Sequence, residues 1–172
     1  LRRRGETDEA LAYWEKALAR NPARADVYHK IAVLAFDTDA FERAILLCQQ
    51  GLGVNPQMPG LHSLAAHSLS CLGRYEEVLA EAEAELAISP DSVFSHFLIG
   101  RAQWQLRQYD KAKQAYLKVI ELQPSYTRAY YGLFNVCNRL KQKEAAQGYL
   151  EEFKRLDKLD RNEAKRRISA ST

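Results

Sequence analysis

The side chains able to do chemistry are few and scattered. Four histidines, His29, His62, His67 and His96, include no His-x-x-x-His pair, and three cysteines, Cys48, Cys71 and Cys137, include no Cys-x-x-Cys. Those spacings bring ligands together on one helix face or one knuckle, so no metal and no cofactor is expected. His67 and Cys71 stand four apart and would share a helix face. A nucleophilic dyad also needs a group to orient its base, and no third residue is evident beside them. Glycine-rich phosphate loops are absent. Glu76, Glu77, Glu81, Glu83 and Glu85 crowd one stretch and read as the solvated outer face of a helix. No catalytic residue is assigned, and an enzyme is not expected. A different constellation remains: Phe94, Phe97, Arg101 and Trp104 follow one another at helical steps. Aromatic and arginine side chains supply contact area and directional polar ends, which is the chemistry of binding.

Composition narrows the partners. The chain has 172 residues, 47% apolar and 27% charged, with 25 basic side chains against 22 acidic ones. That balance lacks the basic excess of a phosphate-backbone binder, so nucleic acid is disfavoured. No run of 18 apolar residues occurs, so no membrane span is expected. The opening LRRRGETDEA carries positive charge with no apolar segment behind it, unlike a secretory signal. Three widely spaced cysteines do not make a disulfide framework; reduced thiols in a cytosol-like compartment are expected.

The elements that position these residues follow from a repeat. Pro22, Pro56, Pro90 and Pro124 are each 34 residues apart. At the same period run Ala32, Ala66, Gly100 and Phe134; Ala10, Ala44, Val78, Ala112 and Ala146; Leu18, Leu52, Leu86 and Ile120; and Phe41, Tyr75 and Tyr109. Within a unit, Tyr28, Ile31, Ala32, Leu34 and Ala35 make one helical stripe, and Phe41, Ala44, Ile45, Cys48 and Leu52 a second. Between them falls a turn column of Gly5, Asp39, Gly73, Arg107 and Lys141. Only its glycines reach a left-handed helix end cheaply, so the other turns must close with less suitable residues. Proline ends each second helix, because the residue before it is pushed out of the helical region. Asp91-Ser92 offers an N-cap to the helix near Val93.

A 34-residue pair of helices with small residues at the crossing, an aromatic after the turn and proline at the end resembles the tetratricopeptide repeat. Gly100, Tyr109, Ala112, Tyr116 and Pro124 carry the resemblance best. It implies an all-α, right-handed superhelical solenoid of antiparallel helix pairs. The units run 1–24 (partial), 25–58, 59–92, 93–126 and 127–158, with a capping helix and tail at 159–172, all in one domain. Phe134 in a small-residue column, and Glu85 and Phe153 in the column begun by Ala17 and Gly51, depart from the pattern and should reshape those interfaces. The first unit starts mid-motif, so further helix or repeat upstream, and a longer parent protein, are expected. Lys165, Arg166 and Arg167 read as solvated tail.

The resemblance places first helices on a concave groove. The residues expected to face it include His29 and Phe36, then His67, then Phe94, Phe97, Arg101 and Trp104, then Arg128, Tyr131, Asn135, Asn138 and Arg139. Some members of the family grip a C-terminal carboxylate with Lys and Asn on successive first helices. The matching positions here hold His29, Val33, Ser63 or Leu64, His67 and Leu98; Arg128 alone matches, so that mode is not expected. The reading is a protein-interaction scaffold that holds a peptide or helix of another protein. Self-association through the open N-terminal edge is the alternative, and single-stranded RNA binding a weaker one, against which the charge counts.

Overall fold

The computed structural model describes the backbone of residues 2–169 and the side chains of residues 9–164 and 166. Those residues form helices and no strand: α1 Arg2–Arg20, α2 Ala25–Asp37, α3 Phe41–Val54, α4 Leu61–Cys71, α5 Tyr75–Ile88, α6 Val93–Gln105, α7 Tyr109–Leu122, α8 Thr127–Arg139 and α9 Lys143–Ser169. Two compact units divide the chain, the first ending at Leu98 and the second starting at Ile99. The division falls inside α6.

The turn column behaves as the sequence demands. Asp39, Arg107 and Lys141 adopt φ of 58°, 59° and 59°, and Gly73 adopts 75°. In each case the next amide reaches back to close the helix: Ala40 to Ala35 O (2.8 Å), Arg74 to Leu69 O (3.0 Å), Gln108 to Gln103 O (2.8 Å) and Gln142 to Cys137 O (2.8 Å). These are left-handed C-terminal closures, three of them built without glycine. Proline terminates the second helices by the expected route. Asn55, Ser89 and Gln123, each before a proline, leave the helix at φ/ψ of −140/96, −132/82 and −140/90. Ser92 caps α6, its Oγ accepting the Ser95 amide at 3.4 Å.

Small residues sit where helices cross. Ala32, Ala44, Ala66 and Ala112 are fully buried. A Cβ on Gly51 would lie 2.9 Å from the Leu61 side chain. In the second unit the Tyr116 ring lies between two glycines: a Cβ on Gly100 would come within 2.8 Å of one ring edge, and one on Gly132 within 2.7 Å of the other. Gly132 thus supplies, two residues early, the small residue that Phe134 does not, and Phe134 is half-buried beside Tyr131. The interface is reshaped around the glycine.

Two expected boundaries are corrected. α1 is continuous through Gly5, so residues 2–20 form one helix with no turn; a glycine inside a helix costs about 1 kcal/mol and does not by itself break it. α9 continues unbroken past Lys158. With no proline there, the capping segment is the extension of the last second helix, Leu156 buried and Leu159 exposed. Leu1 and the Lys165 and Arg167 side chains lie outside the described residues.

Candidate functional site

In the first unit, α2, α4 and α6 place three rings in a row. Phe36 and His67 have centroids 4.4 Å apart, and His67 and Phe94 are 5.0 Å apart, edge to face. Phe36 also meets Phe41 at 5.4 Å. All are half-buried, with Val33 exposed nearby on α2. His67 therefore carries aromatic neighbours, which suits packing against an apolar or aromatic group. Burial pushes the Cys48 thiol up to about 12, with Glu81 reinforcing it, so this thiol stays protonated and unreactive near neutral pH.

Two expected groove residues fall elsewhere. Phe97 is 9% exposed and belongs to the core, as does Leu98 at 0%. Helical spacing from Phe94 puts Phe97 near the same face, but the buried side of α6 is wide enough to take it in. His29 is half-buried, and a Cβ on Gly60 would lie 3.4 Å from its Nε2. Desolvation holds its pKa below the ordinary value, partly opposed by Glu85. His29 therefore faces the start of α4 instead of standing free.

Glu85, expected on the solvated face of α5, is 3% exposed. Its carboxylate accepts the Gly60 amide at 2.9 and 3.0 Å and the Ser63 amide at 3.2 Å. Those are amides at the open N-terminus of α4, where four N–H groups lack partners and the helix dipole favours negative charge. Nearby, the His62 ring nitrogen Nδ1 lies 2.7 Å from Glu81 Oε2. A charged residue in a column otherwise held by Ala17, Gly51, Val119 and Phe153 is the signal that something polar must meet it.

In the second unit the exposed face is richer. Trp104 is half-buried and packs on Tyr109 across the turn of its own hairpin, centroids 5.2 Å apart. The indole is thus not simply left over on the inner wall, as the register predicts, because the aromatic after the turn reaches it. Its other neighbour is the Arg139 guanidinium, 6.0 Å from the ring centroid. Tyr131 is 50% exposed and rests on Phe153 at 5.3 Å. Asn135 donates to the Tyr131 carbonyl at 3.0 Å, while Asn138 and Arg139 are exposed. Arg128 is exposed at the start of α8 and lines a shallow cavity of about 260 Å³ with Tyr126, Thr127 and Asp160. Arg101 is half-buried near Tyr116. Among the described residues, Arg101, Arg128 and Arg139 form no ion pair. Neither α6 nor α8 contains Asp or Glu, so these cations lack compensation on their own helices.

No three His, Cys, Asp or Glu residues converge on a metal position among the described residues. No helix there is long and apolar enough to cross a membrane. What the two faces define is a helical-hairpin repeat protein that presents aromatic, arginine and amide groups from its first helices. Family models of the tetratricopeptide repeat match residues 1–68 and 95–126. The chain belongs to the tetratricopeptide-repeat family, a family of protein-interaction scaffolds.

Relatives agree on the fold and differ in their wider context. Tetratricopeptide repeat protein 12 of Mus musculus is 29% identical over 109 residues, 63% of this chain and 16% of that protein. Protein O-mannosyl-transferase Tmtc3 of Drosophila melanogaster is 31% identical over 78 residues, 45% of this chain and 8% of that one. The chain therefore spans only a small part of the curated relatives it matches. Among solved structures, MamA superposes with a TM-score of 0.85 at 16% identity, covering 94% of each chain. The first such domain of Spaghetti (RPAP3), bound to the HSP90 peptide SRMEEVD, superposes with a TM-score of 0.67 at 21% identity, over 69% of this chain and 94% of that one.

Proposed function

We propose that the chain is a scaffold that holds an extended or helical segment of a partner protein against its first helices. The observation that carries this reading is the Arg139 guanidinium over Trp104, with Tyr131 half-exposed on α8, on helices that bear three arginines and no acid. Tyr131 and the open edge of Trp104 supply apolar anchoring; Arg101, Arg128, Arg139 and Asn138 orient carboxylates or backbone carbonyls. In the first unit, the Phe36–His67–Phe94 row offers a separate apolar surface for the same kind of ligand. The peptide-bound neighbour supports a peptide as the class of ligand. The carboxylate grip of some family members is not carried over, because His29 faces α4, Leu98 is buried and Arg128 alone matches.

Panning a random peptide library against the chain tests the proposal. Selected peptides should bind the parent chain and lose about tenfold or more in affinity for Arg128→Glu combined with Trp104→Ala, at unchanged helix content by circular dichroism. Unaltered affinity in that variant would remove these faces from the function.

A further inference from the structure

The turns of the repeat change sign along the chain. The first unit holds 9 basic and 14 acidic residues, the second 16 and 8. Columns around the turns carry the change: Asp37, Cys71, Gln105 and Arg139 in one, Asp39, Gly73, Arg107 and Lys141 in the next, and Ile45, Leu79 and Lys113 in a third. The repeat itself therefore does not require cations here, since its earlier copies place acids, small residues or apolar groups at the same positions. In the second unit these cations adjoin. Lys113 Nζ donates to Gln142 Oε1 at 2.6 Å, tying α7 to the turn that bears Lys141 and Lys143. Arg139 lies 6.0 Å from the Trp104 centroid, and Trp104 packs at 5.2 Å on Tyr109, which Arg107 and Lys111 flank. Two hairpin turns thus gather Arg107, Lys111, Lys113, Arg139, Lys141 and Lys143, with Lys113 half-buried and the others exposed. Across residues 101–118 and 128–147 the acids are Asp110 and Glu144 alone.

None of the six forms an ion pair among the described residues. Arg107, Arg139 and Lys141 suit the negative C-terminal ends of α6 and α8. Lys111 and Lys143 do not have that reason: they stand third in α7 and first in α9, where the positive end of the helix dipole disfavours a cation. A field of one sign beside an aromatic pair is complementary to carboxylates with an apolar neighbour. We infer that this edge of the second unit docks an acidic segment of a partner protein. Its Asp and Glu side chains lie on the six cations, and one apolar side chain meets the open edges of Trp104 and Tyr109. The inference rests on the peptide-holding function proposed above and adds the chemistry of the ligand and the turns as part of its seat. A protein segment fits better than a nucleic-acid strand. Trp104 is half-buried and already carries Arg139 over its ring, which leaves less of the face that stacks a base. The acidic excess of the first unit also opposes a long polyanion, but not a segment short enough to stay on one edge.

The composition of peptides selected from the random library is the first test. Binders should be enriched in Asp and Glu, and exchanging those for Asn and Gln should weaken binding by about tenfold or more. Affinity should fall as salt rises from about 50 to 300 mM, because screening shortens the reach of exposed charges. Lys111→Glu with Lys143→Glu is the informative variant. Glutamate suits both helix starts, so the denaturation midpoint should hold or rise, while affinity for the acidic peptides falls by about tenfold or more. Lys111→Arg with Lys143→Arg should bind like the parent. Binders with no acidic excess, held equally by the parent and the glutamate variant, overturn this inference and leave the peptide-holding function standing. A library that yields no binder overturns both. Oligouridylate that displaces the acidic peptides and binds more tightly than they do assigns the edge to RNA and overturns the inference as well.

Discussion

Glu85 shows what a single side chain can do when it breaks the pattern. A carboxylate at 3% exposure survives because the start of α4 supplies amides and a positive dipole end. Removing it strands those amides in a buried place, whereas hydrogen bonds to a charged group contribute about 1.5–3 kcal/mol each. Glu85→Ala should therefore destabilise the first unit by about 2–3 kcal/mol. Glu85→Gln, which can still accept from one amide, should lose less. Urea denaturation followed by circular dichroism checks the order; equal midpoints for Glu85→Ala and the parent would mean the carboxylate is not the cap. The sequence displays Glu85 in a column of small and apolar residues, but the local run of glutamates masks it. Spacing alone does not reveal which member of an acidic run turns inward, because that depends on the Gly60 turn in another hairpin.

At the scale of elements, the turns and helix ends were legible. Proline register, the Ser92 cap and the left-handed turn column each follow from the steric preferences of one or two residues, which act locally. Boundaries that depend on more than local chemistry were less so. Gly5 matches the turn column and yet lies inside α1, and Lys158 passes through α9 without a break. Helix continuation is a sum over many residues, and one weak breaker loses to its neighbours. The turns also store strain that can be relieved. Lys141 holds φ of 59°, where an L side chain costs roughly 1–2 kcal/mol, an amount partly offset by the extra unfolded-state freedom of glycine. Lys141→Gly should stabilise the chain by about 0.5–1 kcal/mol. A higher midpoint in thermal or urea unfolding is the expected result, and a lower one would show that the lysine side chain makes a stabilising contact.

At the scale of the whole molecule, the sequence shows the class of protein plainly and the surface only in part. Phe36, His67 and Phe94 come together across three first helices, as do Trp104 and Arg139 across two. Phe97 and His29 leave the expected face, since a helical wheel gives direction but not how deeply a neighbouring helix covers each residue. Trp104 is the hinge of the functional reading, and it can be observed directly. Trp14 is the only other tryptophan, so a Trp14→Phe chain reports from Trp104 alone. Its emission should be followed while a library-selected peptide, confirmed by calorimetry to bind, is added. The account predicts a saturable change in Trp104 intensity or wavelength with the same dissociation constant as the calorimetric one. Binding that saturates while the indole emission stays constant would contradict it.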